Sequence, residues 1–173
     1  SIEKKYGRLT GMCNLMSIDI SKLADDSSLS MLFDLAYIAA WYLDDMIDIN
    51  MFPIVSSSRS AFLTRNIGVG MTGIAGYFIL NNVKYGSDES LTLAKDLMYT
   101  LEYGSTKFTT DITKYKPEFP LYKLSRYVTE YNFNPFLGED TKGYITELNK
   151  LLRRYIATTS LAPEGTRSRI MEV

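Results

Sequence analysis

Short β-like runs alternate with longer stretches of helical period along this chain, and that alternation confines it to an α/β architecture rich in helix. Residues 15–20, which include Ile18 and Ile20, read as a strand. Asp25, Asp26, Ser27 and Ser28 follow as capping side chains. Leu32, Leu35, Ala36, Ala39, Leu43, Met46 and Ile47 then recur at helical spacing, so a long helix is expected to run to about Asn50, ahead of Pro53. The serine-rich run 55–60 reads as a polar connector, and residues 65–70 as a short strand entering an apolar helix over 74–82. Gly86, Ser87 and Asp88 open another helix over 89–115, with Leu93, Leu97, Leu101 and Phe108 along one side. Aromatics, prolines and glycines over 117–143 predict an irregular excursion across the surface. A last helix over 144–152 leads into a β-rich run at 155–161.

Composition narrows function further. The chain has 173 residues, 46% hydrophobic and 23% charged, enough to bury about 70% of its unfolded surface as a single domain. A net charge of −1 offers no basic field to nucleic acid, and charges interrupt every apolar stretch well before the roughly 18 residues of a membrane span. One cysteine leaves no internal disulfide framework, and no signal segment is recognisable, so a reducing cytoplasm is the expected setting. The absence of histidine removes the Ser-His-Asp triad and makes a zinc or haem site a poor expectation; no metal ligands are assigned. The chemistry left open belongs to carboxylates, backbone amides, a partner chain or the lone thiol of Cys13. That thiol is either a small buried hydrophobe or half of a redox pair.

Three further motifs can be weighed on residue type. Gly68-Val-Gly70-Met-Thr-Gly73 matches a dinucleotide fingerprint, but no acid closes a following strand. Close strand–helix packing is therefore the expected role of these glycines. Asp44, Asp45 and Asp48 crowd one helical turn and could form an acid/base or metal site, although a solvated or capping cluster is the expectation. In the turn Ala162-Pro163-Glu164-Gly165-Thr166-Arg167-Ser168, amides, hydroxyls and a helix start could cradle a phosphate or serve simply as a cap.

The order of these blocks carries more than any block alone. Gly-Met-Cys-Asn-Leu-Met-Ser-Ile-Asp-Ile (11–20), Trp-Tyr-Leu-Asp-Asp-Met-Ile-Asp-Ile-Asn with Phe52-Pro53 (41–53), Arg-Asn-Ile-Gly-Val-Gly-Met-Thr-Gly-Ile-Ala (65–75) and Ala-Thr-Thr-Ser-Leu-Ala-Pro-Glu-Gly-Thr (157–166) together resemble the catalytic large subunit of ribonucleotide reductase. The resemblance implies a section, residues 1–173, of a ten-stranded α/β barrel, without its radical-cysteine segment and C-terminal strands. Starting at Ser1 and stopping soon after the Pro-Glu-Gly turn, the chain is expected to be a fragment.

By the same resemblance, the complete enzyme reduces ribonucleoside di- or triphosphates to deoxyribonucleotides by thiyl-radical chemistry. Cys13 matches the redox cysteine that pairs with a cysteine from an earlier strand, and Pro163, Glu164, Gly165, Thr166, Arg167 and Ser168 match the loop for substrate phosphates. No cofactor is implied for this chain itself. The radical would come from a metal-containing small subunit or from cobalamin, and electrons from a dithiol reductant such as thioredoxin or glutaredoxin. The other segments of the large subunit are expected partners, and the complete protein a homodimer. A catalytically silent module derived from the same barrel is the alternative. Met16, Glu164 and Arg167 depart from the family pattern, which has glycine at the first, a small or hydroxylated residue at the second and a small or apolar one at the third.

Overall fold

Two parallel strands, β1 (Asn14–Asp19) and β2 (Ile67–Thr72), pair in register from Asn14–Ile67 to Asp19–Thr72. The computed structural model describes residues 2–23, 28–130 and 143–171. Parallel neighbours need a crossover, and helices α2 (Ser28–Ile49) and α3 (Val55–Thr64) provide it. A second crossover, through α4 (Ile74–Leu80) and α5 (Asp88–Asp111), returns the chain beside β2, where Thr159 forms a parallel bridge to Val69. Short helices α1 (Ile2–Tyr6), α6 (Arg126–Thr129), α7 (Tyr144–Asn149) and α8 (Gly165–Met171) complete the described α-helices.

The long helices form where the sequence places apolar residues on one face. In α2, Leu32, Ala36, Ala39, Ala40, Leu43 and Ile47 are buried. Helix α5 starts where Ser87 accepts a hydrogen bond from the Ser90 amide at 3.2 Å, with Asp88 and Glu89 favourably placed in its first turn. Its buried Leu97, Leu101 and Phe108 share a core with α2 and with Ile67 and Val69 of β2. The two helices approach closely at Gly104, where a Cβ would stand 2.5 Å from the Phe33 carbonyl oxygen. Tyr37 meets Phe108 edge-on beside that contact, their ring centres 5.1 Å apart.

Several expectations need correction. The serine run at 55–60 is helical, because Ser57, Ser60 and Ala61 are small enough to lie buried along one side of α3. The β-rich run 155–161 makes only one bridge among the described residues. Helix α7 ends at Asn149, short of 152, and Arg153 and Arg154 beyond it are buried. The described part of 117–143 does not simply cross the surface: Phe119, Leu121 and Tyr122 form a second small core with Tyr6, Leu63 and Tyr127. Asp25, Asp26 and Ser27, assigned to capping, lie outside the described residues, as do 131–142 of the irregular segment.

Candidate active site

Alternation along the strands divides their side chains between two faces. Met16, Ile18, Ile67, Val69 and Met71 turn toward the helices. Cys13, Leu15 and Ser17 turn the other way, opposite Gly68 and Gly70 and beside Ser160. A Cβ on Gly68 would lie 2.7 Å from both the Leu15 side chain and the Ser160 Cβ, and 3.3 Å from the Cys13 Sγ. One on Gly70 would lie 2.5 Å from the Ser160 carbonyl oxygen. Gly68 and Gly70 therefore let three chain segments approach one another, while Gly73, at the start of α4, meets Asp19 at the end of β1, the strand–helix approach that was expected. No phosphate turn forms at the fingerprint, since Gly68 and Gly70 lie within β2 itself.

Leu15 apart, this face carries small side chains, and it holds the only cysteine of the chain. The Cys13 Sγ lies 3.6 Å from the Asn14 carbonyl oxygen, in donor geometry, and the thiol is half-buried and free. Burial raises its pKa above the ordinary value. At neutral pH the group is therefore a thiol, able to give up hydrogen, rather than a ready nucleophile. Four residues further along β1, about 13 Å away at strand spacing, the Ser17 hydroxyl donates to the Glu164 Oε1 at 2.5 Å. The structure thus joins one member of the 163–168 turn to the face that carries Cys13. Pro163, Gly165 and Thr166 are exposed beside it, with Gly165 opening α8. The side chains of Arg167 and Ser168 lie outside the described residues.

At the start of the strands lies a different cluster. Asp44, fully buried, accepts from Lys116 Nζ at 2.7 Å, from Arg65 Nε at 3.1 Å and Nη2, and from Arg154 Nε at 3.2 Å. Asp48 receives Arg65 Nη1 at 2.7 Å, and Asp45 lies 3.5 Å from Lys116. Burial works to raise the Asp44 pKa, but the Lys116 hydrogen bond and the Arg65 and Arg154 charges outweigh it and hold the carboxyl below its usual range. For Lys116 burial pulls downward and Asp44 prevails, leaving its pKa raised. Arg65 even adopts left-handed backbone, at φ 46°, where glycine is the usual residue. Its buried side chain explains why glycine would not serve.

Asp45 and Asp48 are exposed, as the sequence suggested, but Asp44 is buried and matched by three cations; among the described residues no group of acids and thiols is placed to hold a metal ion. Sequence reading missed Arg65, Lys116 and Arg154 because their convergence is tertiary. It also missed Ser17, although its spacing from Cys13 by an even number of residues was a usable signal. Glu102, a buried carboxylate on α5 that takes hydrogen bonds from Thr158 and Thr159, was missed as well, because those partners also meet it only in the fold.

The family model for the barrel domain of ribonucleotide reductase matches residues 2–173. The chain belongs to that family. It is 28% identical over 160 residues to the vitamin B12-dependent ribonucleoside-diphosphate reductase of Mycobacterium tuberculosis, covering 91% of this chain and 20% of that protein. The protein of the same description from Thermoplasma acidophilum is 29% identical over 157 residues, covering 89% of this chain and 18% of its own length. The ribonucleoside-diphosphate reductase large subunit of Variola virus is 30% identical over 131 residues, covering 75% and 16%. The chain thus spans about a fifth of the length of the reductases it matches. As a section of the reductase barrel, it contributes part of a helix-covered parallel sheet. None of its described helices is long and apolar enough to cross a membrane.

Proposed function

We propose that this chain forms one wall of the active site in a ribonucleotide reductase catalytic subunit. The observation that carries the proposal is the joining of Cys13, Ser17 and Glu164 on the face of the sheet turned away from its helices. Cys13 is the redox thiol. Together with a second cysteine outside residues 1–173 it supplies two electrons as the ribose 2′-hydroxyl leaves. In balanced form, the ribonucleotide and two thiols give deoxyribonucleotide, one disulfide and water. The raised pKa supports this role, since a protonated thiol can deliver hydrogen to the departing oxygen.

Pro163, Glu164, Gly165, Thr166, Arg167 and Ser168 form the turn for the substrate phosphates, the substrate being a nucleoside diphosphate or triphosphate. The radical is generated outside this chain, by a metal-containing small subunit or by cobalamin. The vitamin B12-dependent names of two relatives support the second source. A dithiol protein such as thioredoxin or glutaredoxin restores the thiols, in the cytoplasm, and the complete large subunit works as a dimer.

Cys13→Ser in the full-length enzyme tests the thiol directly. Radical formation should persist while multiple turnover with a dithiol reductant disappears, since serine cannot close the disulfide. Undiminished multiple turnover would exclude the assignment.

A further inference from the structure

The segment that delivers the 163–168 turn is held unusually. Its backbone meets β2 through Val69 N to Thr158 O at 2.8 Å and Ser160 N to Val69 O at 3.1 Å, with Ile67 N to Ala157 O longer at 3.3 Å. Only the Val69–Thr159 pair forms a bridge. Ile156 N donates to the Thr64 carbonyl oxygen at 3.0 Å, the Tyr127 hydroxyl donates to the Ile156 carbonyl oxygen at 3.1 Å, and a polar row on α5 adds further anchoring. The Thr109 Oγ1 accepts the amides of Arg154 at 2.8 Å and Tyr155 at 3.1 Å. About two turns earlier, the Glu102 carboxylate accepts Thr158 at 3.3 Å and Thr106 at 3.0 Å on Oε1, and Thr159 at 2.6 Å on Oε2.

Two features set Glu102 apart from ordinary packing. Adjacent residues of a regular strand point to opposite faces, yet the hydroxyls of Thr158 and Thr159 both reach this one carboxylate. The backbone must therefore leave ladder geometry at this point, just before Ser160, whose carbonyl crosses over Gly70. Moreover, Glu102 is only 4% exposed and has no cation within ion-pair distance among the described residues. A buried carboxylate held only by hydroxyls is a costly way to fill space, but its charge-assisted hydrogen bonds are directional.

We propose that Glu102 is a positioning residue for substrate: through Thr158 and Thr159 it sets where Ser160 and the following turn stand relative to Ser17 and Gly70. This rests on the proposal that the turn binds substrate phosphates. Glu102 itself touches no substrate, so its removal should weaken substrate binding more than it slows the chemical step.

The test uses the full-length reductase carrying Glu102→Met, Glu102→Gln or Thr159→Val, with three readouts: KM and kcat for a nucleoside diphosphate, thermal midpoint, and amide hydrogen exchange over 156–166. Methionine keeps the length and helix preference of the side chain but accepts no comparable hydrogen bond. E102M should raise KM about tenfold, the scale of a lost hydrogen bond to a charged group, with kcat within about twofold of wild type. Exchange over 156–166 should rise while the rest of the barrel stays protected. E102Q, which retains one acceptor oxygen, should recover most of the effect. T159V should act in the same direction and add little to E102M, because the two side chains share one interaction.

Folded E102M and T159V with wild-type KM and wild-type exchange would overturn the proposal. So would a fall of kcat and thermal midpoint with KM unchanged in both variants, which would mark general destabilisation. Should E102M fail to fold, T159V, which removes a single hydroxyl, decides alone. Should the wild-type enzyme bind no nucleotide, the phosphate-binding proposal falls, and exchange over 156–166 still decides whether Glu102 holds the turn.

Discussion

Replacing Asp44 with asparagine removes the buried one of two negative charges that three cations share at the start of the barrel strands, the more exposed Asp48 being the other. Arg65 and Arg154, both buried, would lose their common acceptor, and Lys116 its closest one. Asp48 would remain 2.7 Å from Arg65 Nη1, but its side chain is 40% exposed and already engaged. Asparagine keeps a carbonyl oxygen, so the variant isolates the charge from the bulk. Breaking a buried ion pair on one side costs about 3–5 kcal/mol, a large share of the roughly 5–15 kcal/mol that stabilises a typical domain. At about 2–4 °C per kcal/mol for a unit of this size, the thermal midpoint of the barrel should fall by about 6–20 °C.

The sign of the pH dependence follows from the lowered Asp44 pKa. Its contribution is complete above the unfolded carboxylate value of about 4 and declines as pH falls toward and through the lower folded value. Thermal unfolding of full-length protein, recorded between neutral pH and pH about 3, should show that decline in wild type and a shallower one in Asp44→Asn. A variant midpoint within about 1 °C of wild type, with an unchanged acid slope, would show that the network is energetically idle.

Two further predictions concern helix packing and the turn. Gly104→Ala should lower the thermal midpoint although alanine favours helix by about 1 kcal/mol, because the new Cβ would stand 2.5 Å from the Phe33 carbonyl oxygen and 3.0 Å from the Ala36 Cβ; equal or greater stability would mean that α2 and α5 are not so closely apposed. Thr166→Val should weaken nucleotide binding by roughly tenfold to a hundredfold with the fold intact, as equilibrium binding would read; an unchanged dissociation constant would reduce the turn to a helix start.

The long helices were legible because their burial is periodic: Leu32, Ala36, Leu43 and Ile47 fall at helical spacing and are buried. The serine run of α3 was not, because polarity was taken for exposure, whereas Ser57 and Ser60 are small enough to be buried. The glycines of β2 were recognised as sites of close approach, but which segments approach depends on the 157–160 segment returning beside them. The acid cluster shows the deeper limit. A turn holding Asp44, Asp45 and Asp48 looks like a solvated surface until Arg65, Lys116 and Arg154 arrive from distant parts of the chain. Cys13 and the 163–168 turn could be matched by resemblance, but their connection through Ser17 and Glu164 depended on the fold.

The redox state of Cys13 after a single turnover tests the central claim most directly. Pre-reduced full-length enzyme would be allowed one turnover with a nucleoside diphosphate and no added dithiol, quenched in acid, alkylated and mapped by peptide mass. Cys13 should appear in a disulfide with a cysteine outside residues 1–173, in proportion to the deoxyribonucleotide formed. Deoxyribonucleotide formation with Cys13 still recovered as the free, alkylated thiol would contradict the account.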